Sequence, residues 1–534
     1  MPQMAAASPP SRGRLHGLVR AVFVVSVVHL LAGQWVLWRV SSEPNDTDSS
    51  PRNTPFWSQD VHSHFPFSEY AETAGPSFLA AGHYSSRSAF KRGYAVEERV
   101  SGELPQLRSR NYTGSLYGII IDAGSTGTRL SAFHFVKAAR PPFMRLISEC
   151  GKHVKPGLSY YAAEPASVVH NLAPLVARAK DCVPPYAWKS TPLELKATAG
   201  LRLLPAFVQD RILDHAKAWL HNESPFVLSH DDAISIMEGI DEGLYSWITV
   251  NFLLNTLHHH YDTPDECLAV AEPDAEQNTE RLFRREQLKR QTFGTLDLGG
   301  GSMQITFVPL YDQTIDEAPP DRIHHVKIFG ERLKLYSWSY LGFGLMSARM
   351  QMFGFPLETP LEAVQTVSNV LSSPCILSPH PVPWEHASTE YRVHAAPSAD
   401  PFAACAARAS LIVSRAIHHQ PEVARESFYA FSYFYDIAVE ARIIPHVAGG
   451  QVPAGVFRST AEAVCREGRG EGRPFLCMDL CYISALLLEG LGLRVDQDVV
   501  LRKKIDGVET SWALGAMFHM LNTFHNTSNI DLGR

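Results

Sequence analysis

Apolar and polar positions divide this chain into unlike regimes. Residues 21–38 are almost wholly apolar, with Ser26, His29 and Gln34 as the polar members. Residues 41–115 carry Ser, Pro, Asn and charge with no sustained period, the composition of a linker. Regular patterning starts near Leu116. Ile119-Ile120-Ile121 is a β-branched run that predicts a buried strand, and Leu130–Val136 alternates as the returning strand of a hairpin. Gly157–Tyr161 reads as a turn, and Ala166–Ala179 has helical spacing. Leu193–Ala197 predicts a strand that turns at Thr198-Ala199-Gly200 into a helix start. Val227–Met237 alternates in part and predicts another strand. A long apolar helix opens at Glu238 and runs past Trp247. A second buried strand ends at Asp297. Helices are expected over Ala403–Ile417 and Met478–Gly492, with a last element from Thr510. Residues 258–291 read as a polar surface insert, and Pro374–Ala404 as Pro- and His-rich irregular chain.

The length of 534 residues exceeds one hydrophobic core and predicts two or more domains. With 45% hydrophobic and 19% charged residues the composition is that of a globular protein. A formal net charge of -7 gives no sign of a nucleic-acid partner. The apolar stretch 21–38 reaches the lower end of the ~17–25 residues a membrane-spanning helix needs. Arg12, Arg14 and Arg20 precede it, which puts residues 1–20 in the cytosol and the remainder in a lumen or outside. A cleaved signal peptide with a site near Ala32-Gly33 is the competing reading. Sequons at Asn45, Asn111, Asn222 and Asn526 agree with lumenal exposure, and the eight cysteines are expected to form disulfides there.

Two turns carry the candidate chemistry. Asp122-Ala-Gly124-Ser125-Thr126-Gly127 and Asp297-Leu-Gly299-Gly300-Gly301-Ser302 each end a strand in Asp and then turn on Gly and Ser. Such a turn can offer backbone N–H groups to a phosphate, and the Asp can hold a hard cation. One such turn is usually a plain hairpin. Two alike suggest related half-domains closing on one phosphate chain and its metal. Thr198 ends a third strand, either as a plain turn residue or facing the same cleft. Asp241 and Glu242 stand in the first turn of the apolar helix, where acids compensate the helix dipole or where one could serve as a general base. Arg202 reads as a surface or interdomain ion pair. The cluster Phe428–Tyr435 is expected to be mainly core, with Tyr433, Tyr435 and the later Trp512 as candidates to stack on a nucleobase.

Five ordered segments resemble the five apyrase-type regions of the ecto-nucleoside triphosphate diphosphohydrolase family. They are Asp122-Ala-Gly-Ser-Thr-Gly-Thr-Arg, Ala197-Thr-Ala-Gly-Leu-Arg, Glu238-Gly-Ile-Asp-Glu-Gly-Leu-Tyr-Ser-Trp, Asp297-Leu-Gly-Gly-Gly-Ser-Met-Gln, and Cys477-Met-Asp-Leu-Cys continuing to Ser511-Trp-Ala-Leu-Gly. The resemblance covers about Leu116 to Phe524 and implies an α/β fold of two actin-like, RNase H-type lobes with the active site in the cleft between them. It implies lobe I from 116–240 with 508–534 and lobe II from 241–507, behind an anchor at 21–38 and a stalk at 39–115. It implies hydrolysis of nucleoside diphosphates, and more weakly triphosphates, with Ca²⁺ or Mg²⁺. Carried over by position, Glu242 is the general base and Gln304 orients the attacking water. Asp122, Thr198 and Asp297 hold the metal. Gly124, Ser125, Thr126 and Gly127 form one phosphate loop, and Gly299, Gly300, Gly301 and Ser302 the other. Tyr340-Leu-Gly-Phe-Gly-Leu-Met and the single N-terminal span resemble the Golgi and secreted nucleoside-diphosphatase branch. That branch implies a Golgi membrane protein of type II topology, possible release by stalk cleavage, a monomeric body, and disulfides Cys375–Cys405 and Cys465–Cys477. Pairing of Cys150, Cys182, Cys267 and Cys481 stays open, and Met303 stands where many members have Thr. The rival readings are a kinase-like ATPase of the same superfamily and an inactive nucleotide-binding receptor.

Overall fold

In the computed structural model the described residues are 112–138, 144–257, 291–328, 331–355, 369–386, 388–468, 472–525 and 530–531. The anchor, the stalk, most of the 258–291 insert, Cys267 and the sequons at Asn45, Asn111 and Asn526 lie outside them. Asn222 lies within them, exposed at the end of the helix Ala206–Glu223. Among the described residues no helix is long and apolar enough to cross a membrane.

The β-branched run forms β1 (Tyr112–Ala123), which hairpins into β2 (Thr128–Ala138) and then β3 (Met144–Val154). β4 (Pro192–Ala197), β5 (Val227–Leu228) and β6 (Ile234–Ile236) follow. The sheet runs β3-β2-β1-β4-β5, with β6 also on β4. Its first pairs are antiparallel, and β4 is parallel to β1. Ile119, Ile120 and Ile121 are all fully buried because the sheet is covered on both faces. Alternate residues of the run feed different cores. Ile119 and Ile121 pack with the helix Val169–Cys182, whereas Ile120 packs with Trp247 and Phe518.

The second sheet repeats the plan. β7 (Gly294–Leu298), β8 (Ser302–Phe307), β9 (Ile323–Ile328) and β10 (Glu331–Leu341) come first. β11 (Val370–Ser373), β12 (Val382–His386) and β13 (Thr389–Ala395) make a separate small sheet. β14 (Phe428–Ser432), β15 (Gly450–Pro453) and β16 (Asp498–Leu501) return to the large one. Its order β10-β8-β7-β14-β16 has the same pairing directions as the first sheet's β3-β2-β1-β4-β5. The duplication expected from the two turns is therefore present in the backbone: two RNase H-type lobes of an actin-like α/β fold. The helices Gly239–Leu253 and Ala513–His525 lie against each other in a core fed from both sheets.

Several local expectations need correction. Val227–Met237 is not one strand. His230 Nδ1 accepts from the Asp232 N–H and a 3₁₀ turn at Asp231–Ala233 splits it. Pro374–Ala404 is not irregular, because Tyr391 and Val393 alternate inward to seat β13 between β11 and β12. The Pro residues around β12 hid that alternation. Gly157–Tyr161 leads into a 3₁₀ helix, Leu158–Ala162, rather than a simple turn. The helix expected over Met478–Gly492 starts at Leu476, and from Leu486 it widens into a π turn.

Candidate active site

Each sheet ends its first strand at a glycine turn, and the two turns meet. Asp122 lies at the end of β1 and Asp297 near the end of β7. A Cβ on Gly300 would meet the Ser125 hydroxyl, so a side chain there would displace Ser125 where the two loops touch. The second loop is also held from behind. The Leu345, Met346 and Ser347 N–H groups donate to the carbonyls of Gly299 and Gly300 at 2.9–3.1 Å. This is the physical use of the Tyr340–Met346 motif: it closes the loop's carbonyls and leaves other groups for a ligand.

The third element is β4. Thr198 follows it, 5% exposed, and its N–H donates to the Ala123 carbonyl at 3.2 Å, which seats it beside the first loop. The short helix Ala199–Arg202 begins there. The fourth is the helix Gly239–Leu253, whose first turn carries Asp241 and Glu242, both buried, while Glu238 just before it is exposed.

Glu242 is the hub of a polar network. Its Oε2 accepts from Arg202 Nη2 at 2.5 Å and from Gln304 Nε2 at 3.0 Å. The same Gln304 Nε2, on β8, lies 2.7 Å from the Ser302 hydroxyl and 3.1 Å from that of Ser339, so its two hydrogens are shared among three acceptors. The Gln304 Oε1 is buried and has no hydrogen-bond partner among the described residues. Arg202, expected as an ion pair, is one, but its partner is the candidate base. That choice of partner was not readable from the sequence, nor was Ser339.

Burial dominates the electrostatics. It raises Asp122 to about 7, against the neighbouring Arg129 and with help from Glu242 and Asp297. It raises Asp297 to about 7, with Glu242 adding. Glu242 is raised by burial, opposed by the charge and hydrogen bond of Arg202. One oxygen of Asp122 is buried with no hydrogen bond among the described residues. A desolvated carboxylate oxygen of this kind has the hard character that a divalent cation takes as a ligand.

The three aromatic candidates part company. Trp512 is 3% exposed in the core shared with Trp247 and Met517. Tyr435 is 2% exposed, and its hydroxyl donates to the His446 carbonyl. Tyr433 is half-buried, with its hydroxyl 3.4 Å from Thr126 Oγ1 at the first loop. A cavity of about 500 Å³ is lined by Ser125 and Thr126 together with Tyr160, Glu385 and His386.

Disulfides join Cys375 to Cys405 and Cys465 to Cys477. A third, Cys150–Cys182, ties β3 to the end of the helix Val169–Cys182. Among the described residues Cys481 is in no disulfide; it is buried, and burial pushes its thiol up to about 12. It lies close to Cys405 and Cys477, but those two sulfurs are spent in disulfides and leave no metal set.

Two like lobes that bring glycine turns and buried acids together define an enzyme built to act on phosphate. The chain belongs to the GDA1/CD39 (nucleoside phosphatase) family, whose profile matches residues 109–532. It is 41% identical over 411 residues to the ectonucleoside triphosphate diphosphohydrolase 6 of Rattus norvegicus, covering 76% of this chain and 82% of that one. It is 38% identical over 412 residues to the Homo sapiens nucleoside diphosphate phosphatase ENTPD5, covering 77% and 88%. Among solved structures it is similar to a nucleoside triphosphate hydrolase from Neospora caninum. That match has a TM-score of 0.50 and 14% identity, covers 78% of this chain and 96% of that one, and speaks to the fold.

Proposed function

We propose that this protein hydrolyses nucleoside diphosphates, and triphosphates more weakly, to the monophosphate and orthophosphate, using Ca²⁺ or Mg²⁺. The observation that carries the reading is the set of half-buried Asp122 with buried Asp297 and Glu242 at the end of the strands whose glycine loops meet. The N–H groups of Gly124–Gly127 and Gly300–Ser302 hold the phosphate chain, while the Gly299 N–H closes the second loop on the Ser302 carbonyl at 3.0 Å. Asp122, Asp297 and Thr198 hold the cation. When bound, the cation neutralises phosphate oxygens and spares the protein that charge. The two hydrogens of the Gln304 amide are shared among Glu242, Ser302 and Ser339, and its carbonyl oxygen is kept for the hydrogen bond of a water. The Glu242 carboxylate takes that water's proton as its oxygen attacks the terminal phosphorus in line, and the monophosphate leaves.

We place the reaction in the secretory lumen, behind an anchor at residues 21–38. Three disulfides support an oxidising compartment. Of the aromatics, Tyr433 is the one we assign to the nucleobase.

Phosphate release from a panel of nucleoside diphosphates tests the reading. Activity should vanish in excess chelator and return with Ca²⁺ or Mg²⁺. Glu242→Gln should cost ~10²–10⁴-fold in kcat, whereas Asp241→Asn and Glu238→Gln cost far less. Full activity in chelator, or near-normal turnover by Glu242→Gln, would overturn it.

A further inference from the structure

Resting on the hydrolytic reading above, we propose that Arg202 is a positioning residue that fixes which oxygen of Glu242 takes the proton. A glutamate carboxylate has two equivalent oxygens and a broad terminal torsion, so it does not by itself present one oxygen to a water. Here the ambiguity is removed. Both donors to Glu242, Arg202 Nη2 and Gln304 Nε2, converge on Oε2. Oε1 accepts no hydrogen bond among the described residues and is left as the proton acceptor. The guanidinium is itself anchored, because Nη2 also reaches Ser302 Oγ at 3.3 Å in the second phosphate loop. It projects from the helix Ala199–Arg202, which begins directly after Thr198. Base, second loop and proposed cation ligand are therefore joined through one side chain.

Gly239 supplies an independent observation. It is the first residue of the helix Gly239–Leu253. A Cβ there would strike Arg202 Nη1 and the Ser339 hydroxyl. The glycine makes room for the guanidinium and for the serine that holds Gln304. A lysine at 202 would keep the charge but lose the planar fork that spans Glu242 and Ser302. The rival role is direct contact with substrate, since Arg202 Nε is buried with no partner. The two roles separate kinetically: holding the base acts on kcat, whereas uniform substrate contact acts on KM.

The test uses the full-length protein and a nucleoside diphosphate. Wild-type phosphate release comes first, since an inactive wild type refutes the hydrolytic reading itself. With an active wild type, Arg202→Ala should lower kcat by about 10²-fold with KM within about threefold. Arg202→Lys should recover only part of that loss. Added guanidinium ion should restore part of kcat to Arg202→Ala and nothing to Glu242→Gln. In a Glu242→Gln background Arg202→Ala should cost little more, because the two residues act as one unit. Gly239→Ala, which deletes no polar group, should lower kcat by about 10-fold in the folded protein. Wild-type kcat in Arg202→Ala, a loss confined to KM, or a full additional loss in the Glu242→Gln background would each overturn the assignment. If Arg202→Ala does not fold, Arg202→Lys and Gly239→Ala carry the same decision, and wild-type kcat in both refutes it.

Discussion

Asp122 and Asp297 make the metal-free protein sensitive to pH in an unusual direction. Burial holds both at about 7, far above the usual 3.8. Between those values the folded state binds more protons than the unfolded chain, so stability is full at low pH and falls as pH rises toward 7. His153 and His386 act the other way at lower pH, because burial lowers both from 6.5 to about 4. The informative window therefore lies from about pH 6.5 to 8. Chelated protein should melt at a lower temperature at the alkaline end of that window. Added Ca²⁺ or Mg²⁺ should remove most of the difference, because a bound cation favours the ionised carboxylates. Asp297→Asn should flatten the chelated slope. A melting temperature that rises with pH across the window would show that these acids are not protonated in the folded state.

Helices behind the loops decide how rigid the site is. The helix Leu345–Met352 closes the second loop's carbonyls, and one buried pair ties it to the helix Leu476–Ala485. Arg349 Nε and Nη2 donate to the two Asp479 oxygens at 2.8 and 2.6 Å, and the guanidinium lies over the Phe475 ring. Removing one partner of such a pair leaves a buried charge, which typically costs ~3–5 kcal/mol. Asp479→Ala should lower unfolding stability by about that amount in urea titration. Replacing both residues with apolar side chains of similar volume should cost much less. If Asp479→Ala melts like wild type, the pair is not what holds that helix. The residue belongs to the Cys477–Cys481 segment, which the sequence marks as a family motif without revealing its bond to position 349.

Across the whole molecule, covalent links and cross-lobe contacts complete the fold. The Cys150–Cys182 bond closes a loop with a sequence separation of 32 and the Cys375–Cys405 bond one of 30. Cys150→Ser with Cys182→Ser should cost ~2–4 kcal/mol on the chain-entropy estimate. Mass mapping of non-reduced peptides should recover all three pairs with Cys481 as a thiol. A Cys150 found alkylated before reduction would contradict the first bond. The lobes also touch directly, where the Ser388 hydroxyl donates to the Tyr160 carbonyl at 2.7 Å. Much of this molecule was legible in its sequence. Strand ends carrying Asp and glycine, and an apolar helix opening on acids, are local patterns. Backbone conformation and hydrophobic period act over a few residues, so Ile119–Asp122, Thr295–Gly301 and Glu238–Trp247 declare their elements without help. The family resemblance added the order in which they combine. The tertiary structure alone decided which charge meets which. It brings Arg202 to Glu242, Arg349 to Asp479 and Cys150 to Cys182, and it buries Trp512 and Tyr435 while leaving Tyr433 at the loop. Those outcomes depend on residues far apart in the chain being packed within a few ångströms. Side chains of one chemical type can satisfy many partners, so only the closed fold selects one.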